Sequence, residues 1–186
     1  MSEQTVCQPS VRPMYEWEIE EAHKVFADGL KYQVVRIHEC RKWTNAMDRL
    51  GRKLKGMPAE DVNNALTLGN HCFFPVKLLA KPVPINDSEN YKISWLIHEL
   101  THAWQYQHMG WRYLWLALSA QFTQKGAAYD FGYEDGLKKR RRDQWTLQKF
   151  NLEQQGDIAR TYYDRVCRGM DVSAWQPFIE EFHQAA

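Results

Sequence analysis

Between Trp95 and Gln105 the chain reads WLIHELTHAWQ, and this run constrains the fold more than any other. Two histidines, His98 and His102, stand four residues apart among Trp95, Leu96, Ile97, Leu100, Ala103 and Trp104. Apolar residues on every side predict a helix at the centre of the molecule. The four-residue spacing puts both imidazoles on one face of it, one turn apart. A central helix must find partners for two imidazoles and the carboxylate of Glu99, because unpaired buried polar groups are expensive. A metal ion supplies them: two nitrogens so placed can both reach one Zn²⁺ at about 2.0–2.1 Å. Glu99 borders the same face, where its carboxylate can reach a metal-bound water without itself being a ligand. His98 and His102 are thus the candidate metal residues, Glu99 the candidate catalytic residue, and one Zn²⁺ per chain the expected cofactor.

The third ligand has two candidates. The run continues through Gln105 to His108 with the spacing of the metzincin signature, but Gln105 stands where that signature has the glycine that lets the chain turn. If the helix simply continues, His108 lies about 9 Å further along the axis and about 120° round it, out of reach of the same ion. The other candidate is Glu153, in Asn151-Leu152-Glu153-Gln154-Gln155-Gly156-Asp157. Glu153 and Asp157 share a helix face. A Glu can close a tetrahedral site, and an Asp one turn on can hold the free ring nitrogen of a ligating histidine. Gly156 inside a helix costs about 1 kcal/mol relative to Ala, which is easier to explain if two helices approach closely there. Geometry favours Glu153.

Periodicity predicts the remaining elements. Tyr15, Ile19, Ala22 and Phe26 fall at helical spacing, with Gly29 as the C-terminal cap and Glu16, Glu18, Glu20 and Glu21 as the wet face. Residues 31–39 read as a strand. Residues 44–56 read as a short helix with Met47, Leu50 and Leu54 on one face. Residues 65–75 read either as one edge strand with a bulge at Gly69-Asn70 or as a hairpin turning there. The single strand is favoured, closed by Pro75. Asp87 or Ser88 is the expected cap of the His98 helix and Gly110 its stop. The stretch 111–122 (Trp111, Leu114, Trp115, Leu118, Phe122 on one face) is too short to span a membrane and reads as core, or as a helix that contacts a partner. Residues 129–143, with the KKRRR run from Lys138 to Arg142, read as a solvated loop. A long helix follows over 144–168 and a short one over 173–183.

The chain has 186 residues, 24 basic and 23 acidic side chains and a formal charge of +1. That balance gives no support for a nucleic-acid binder or a membrane-surface protein. Residues 1–13 read as a flexible leader and 14–186 as a single domain. Cys7, Cys40, Cys72 and Cys167 are widely spaced, which predicts four reduced thiols. The first residues hold no apolar stretch of signal-peptide length, so a cytoplasmic location is expected, export by a signal-independent route being compatible with it.

His98, Glu99 and His102 followed by Glu153 and Asp157 resemble the gluzincin zinc peptidases, in which HExxH on one helix is completed by a Glu, with an Asp four residues later. The runs LTLGN, LIHELTHAWQYQ and FNLEQQGDI are similar to a family of uncharacterised bacterial metallopeptidase domains, some fused to, or encoded near, secretion and toxin-delivery machinery. The resemblance covers roughly residues 60–168. It implies a minimal zincin-like fold and a zinc metallopeptidase that hydrolyses peptide bonds in a peptide or protein substrate through a Glu-activated, metal-bound water. Gluzincins usually carry a further His or Tyr donor for the tetrahedral intermediate. No residue here matches it by motif, and Tyr129 and Tyr133 are the candidates. The fold expected is α+β and mainly helical, with a small sheet packed on the His98 helix and a sheet edge near Leu66 to Phe74 beside the metal. Two alternatives stand: a non-catalytic, zinc-stabilised binding or structural module, and a peptidase effector or toxin domain.

Overall fold

The computed structural model describes residues 7–46, 63–110 and 130–184. In chain order these give β1 (Ser10–Arg12), α1 (Glu16–Phe26), β2 (Arg36–Glu39), β3 (Leu66–Leu68), β4 (His71–Phe73), α2 (Tyr91–Met109), α3 (Tyr133–Arg142), α4 (Leu152–Cys167) and α5 (Gln176–Ile179). The fold is α+β and mainly helical, as expected. The four strands form one sheet in the order β1-β2-β4-β3. β1 runs antiparallel to β2, β2 parallel to β4, and β3 antiparallel to β4.

Helix α2 is the hub, as its apolar flanks predict. From Ile93 to Gln105 all but Trp95 are buried. It packs most extensively on α4 and also meets α1, β3 and β4. The core around it gathers Phe26, Ile37, Phe74, Leu96, Ile97, Leu100, Ile158, Tyr163, Trp175 and Phe178. Gly110 ends the helix with a positive φ of 59°. The start lies further on than Asp87 or Ser88: Asn90 is the N-cap, while Asp87 accepts from the Glu89 amide in the turn before it.

Several expectations are corrected. Residues 65–75 do not form one strand. Gly69, with φ 62°, turns the chain so that β3 and β4 pair as a tight hairpin in the register Leu66↔Phe73, Thr67↔Cys72 and Leu68↔His71. β3 is the sheet edge and β4 is internal. The strand expected over 31–39 shortens to β2, because residues Tyr32–Val34 wind into a 3₁₀ turn. Gly29 does not cap α1. That place is taken by Ala27, and Gly29 is buried where an added Cβ would sit 1.9 Å from the Phe182 carbonyl oxygen. Residues 129–143 are not a loop throughout: α3 spans Tyr133–Arg142, with Glu134 and Asp135 in its first turn and Lys139 to Arg142 in its last, a charge order that suits the helix dipole. The helix expected over 144–168 starts later, at Leu152, after a 3₁₀ turn over Leu147–Lys149. The tail helix of 173–183 resolves into α5 and a 3₁₀ turn over Glu180–His183.

The expected leader is tied down where it is described. Ser10–Arg12 form β1 in the sheet. Because β1 runs alongside β2, Cys7 and Cys40 meet across 33 residues of sequence with Cα atoms 5.6 Å apart and form a disulfide. Two of the four thiols expected to be reduced are therefore paired, while Cys72 and Cys167 are free. Glu18, expected on the wet face of α1, is 1% exposed. The Arg12 guanidinium grips it with two hydrogen bonds of 2.7 and 2.8 Å and reaches Glu39 at 3.3 Å. Residues 43–46 are helical; the rest of the helix expected over 44–56 and the apolar stretch 111–122 lie outside the described residues. No helix among the described residues is long and apolar enough to cross a membrane.

Candidate metal centre

His98 and His102 project from α2 toward α4, where Glu153 sits in the first turn. Ligand atoms of His98, His102 and Glu153 all lie within 4.8 Å of one another. His98 Nε2 is 3.3 Å from Glu153 Oε2, and His102 Nε2 is 3.7 Å from the same oxygen. A tetrahedral Zn²⁺ with bonds of about 2.0–2.1 Å needs donors about 3.3–3.4 Å apart. The two contacts to Glu153 are within a few tenths of an ångström of that spacing, and the three groups together could hold a metal ion.

The local sequence explains why these groups converge. Asn151 caps α4 by accepting from the Gln154 amide, and the Gln154 side chain accepts from the Asn151 amide. This fixes where the helix begins and so where Glu153 points. Gly156 gives the close approach that its sequence position suggests: a Cβ there would lie 2.7 Å from His98 Cε1 and 2.8 Å from its Nδ1. Any side chain at 156 would push into the imidazole.

Around the three donors stands a ring of orienting groups. His98 Nδ1 donates to Asp157 Oδ1 at 3.1 Å, as the four-residue spacing from Glu153 implies. Arg160 holds the same Asp157 oxygen at 2.9 Å. On the other imidazole, His102 Nδ1 donates to Gln105 Oε1 at 2.9 Å. Gln105 Nε2 in turn donates to the Leu152 carbonyl and to Gln155 Oε1, and Gln155 donates to the carbonyls of Leu147 and Phe150. Both ring Nδ1 atoms are thus committed, which directs each Nε2 at the shared centre. Gln105 marks the departure from the metzincin signature and holds His102 in place instead. Sequence reasoning named no partner for His102. The signal was available, since an amide inside a buried helix needs a partner of its own. Arg160 was equally missed.

Glu99 is buried on the adjoining face. The Thr67 hydroxyl, on edge strand β3, donates to Glu99 Oε2 at 2.7 Å. The sheet edge therefore lies against this carboxylate, as expected, but Thr67 itself was not anticipated. His108 is excluded from the centre by its contacts: its Nδ1 meets the Trp104 carbonyl at 2.8 Å, its Nε2 the Gln184 carbonyl at 2.9 Å, and its ring stacks on Trp104. Tyr133 opens α3, is mostly exposed and rests against Phe131. Tyr129 lies outside the described residues.

The imidazoles and Glu153 shift one another's protonation in opposite directions. Burial works to keep His98 neutral, but hydrogen bonds to Asp157 and Glu153 and the charge of Glu99 outweigh it and raise the imidazole to about 10. His102 also rises, its burial overcome chiefly by Glu153. Glu153 goes the other way: burial would raise it, but the two imidazoles hold it well below the usual carboxylate range. In the metal-free chain a proton at pH 7 sits where the ion would. Metal must displace it, so apparent affinity should strengthen as pH rises through neutrality toward about 10 and weaken in acid. Calorimetric zinc titrations in buffers of different ionisation enthalpy would register the proton released.

No protein-family model matches the chain, and no solved structure matches it. Among curated proteins, the type VI secretion system spike protein VgrG2b of Pseudomonas aeruginosa is similar, at 30% identity over 155 residues. The aligned region is 82% of this chain but 13% of that spike protein, so the chain corresponds to a small part of its relative.

Proposed function

We propose that the chain is a zinc-dependent peptidase, with His98, His102 and Glu153 as metal ligands and Glu99 as general base. The observation that carries this reading is the convergence of the three donor side chains, from two packed helices, beside a buried carboxylate that is not among them. When bound, zinc would polarise a water and the scissile carbonyl. Glu99, oriented by Thr67, would take a proton from the attacking water and deliver it to the leaving amine. Asp157 and Gln105 would keep the imidazoles aligned through both steps. A substrate strand adding to the β3 edge would pass next to Thr67 and Glu99. Tyr129 and Tyr133 stay the candidate donors to the oxyanion.

The similarity to a secretion spike protein favours an effector setting, in which the domain acts on proteins of a target cell. Incubating the zinc-reconstituted chain with a proteome-derived peptide mixture and sequencing new termini by mass spectrometry tests the activity. Cleavage that stops on chelation and returns with zinc is the expected result. Tight zinc binding with no new termini would instead identify a zinc-stabilised binding module.

A further inference from the structure

A second pair of imidazoles converges on the other face of the sheet. His38 lies on β2 and His71 on the neighbouring strand β4, and His38 Nε2 is 2.8 Å from His71 Nδ1. Side chains alternate across a strand. Thr67 and Cys72 turn toward α2, the first bonding the Glu99 carboxylate and the second lying 3.9 Å from the Glu99 carbonyl. His71, next to Cys72, and His38, next to buried Ile37, turn the opposite way. We propose that His38 and His71 form a second, solvent-facing site for a divalent transition-metal ion, separate from the His98–His102–Glu153 centre.

Two nitrogens bound to one ion at about 2.0–2.1 Å stand about 2.9–3.4 Å apart, depending on the angle at the metal. The present separation falls just short of that range, so the rings need open by only a few tenths of an ångström. The backbone on both sides is fixed. The Arg36 amide donates to the Asn70 carbonyl and the Phe74 amide to the His38 carbonyl, each at 2.8 Å. Phe73 stacks on His38 with centroids 4.3 Å apart, and Trp43 braces Phe73 edge-on. The rings are therefore held before any ion arrives, which is what makes a chelating pair bind better than two independent histidines. His71 is exposed, so water can complete the coordination. Arg36 is turned away, donating to the Gln33 and Val35 carbonyls, while Arg41 acts on His38 only through its charge. Among the described residues no carboxylate or thiol joins the pair. An all-imidazole donor set selects ions such as Zn²⁺, Ni²⁺ or Cu²⁺ over Mg²⁺ and Ca²⁺.

Titrating Zn²⁺ into the metal-free full chain by calorimetry tests the proposal, because the two centres then appear as separate classes. A weaker class should vanish, or weaken by at least about tenfold, in both His38→Ala and His71→Ala. It should persist in His23→Ala, whose imidazole lies beside Asp28 instead. The class that depends on Glu153 should be unchanged in all three, which also reports that they remain folded. Ring resonances of His38 and His71 should shift with the weaker class alone. Absence of that class from the wild-type chain, or its survival in both His38→Ala and His71→Ala, would overturn the proposal. Failure of the Glu153-dependent class would leave it standing.

Discussion

On the proposed peptidase reading, replacing Glu99 by Gln should lower turnover by about 10²–10⁴-fold while zinc content stays at the wild-type level. The substitution preserves shape in a buried position, and the Gln carbonyl oxygen can still accept the Thr67 hydroxyl. Packing is therefore retained and only the basic carboxylate is lost. Because Glu99 is not among the three converging donors, the metal should remain. The comparison is made on metal-loaded protein, with kcat/KM for one cleaved peptide and zinc per chain measured side by side. A variant that cleaves as well as wild type would remove Glu99 from the chemistry. A variant that loses zinc would show that Glu99 serves the centre structurally.

The second large effect concerns the stability of the fold. Arg12→Ala should destabilise the chain by about 3–5 kcal/mol, because it strands two buried carboxylates. Glu18 accepts from both terminal guanidinium nitrogens, Nη1 and Nη2, and also from the Tyr15 amide at 2.8 Å. Glu39 accepts from Arg12, from the Ser10 hydroxyl and from the Leu78 amide. One cation thus links β1, α1, β2 and the segment after β4. Against a typical domain stability of about 5–15 kcal/mol such a loss is large. Urea unfolding of the two proteins measures it. A change below about 1 kcal/mol would place Arg12 among ordinary surface ion pairs.

The convergence of His98, His102 and Glu153 was legible in the sequence because its geometry is mostly local. Helical period alone put His98 beside His102 and Glu153 beside Asp157, and Gly156 announced the helix contact that joins the two pairs. Gln105 could be seen to break the metzincin pattern, but not what it holds. Long-range pairing was much less legible. Nothing local in residues 10–12 says that they pair with β2, so neither β1, nor the Cys7–Cys40 disulfide, nor the burial of Glu18 could be foreseen. Gly69 fits a bulge as well as a turn, and only the pairing of Thr67 with Cys72 decides for the hairpin. In α3, glycine and charge suggested a loop. The helix is accommodated because Gly136 lets the backbone approach Phe131 and because its charges follow the helix dipole.

The most direct test of the central claim is zinc per chain, by inductively coupled plasma mass spectrometry after reconstitution and removal of weakly held metal. Wild type is compared with Glu153→Ala and His108→Ala. One tightly held zinc in wild type and in His108→Ala, lost from Glu153→Ala, is the result predicted here. Zinc retained without Glu153 but lost without His108, or no tight zinc in the wild-type chain at all, would contradict it.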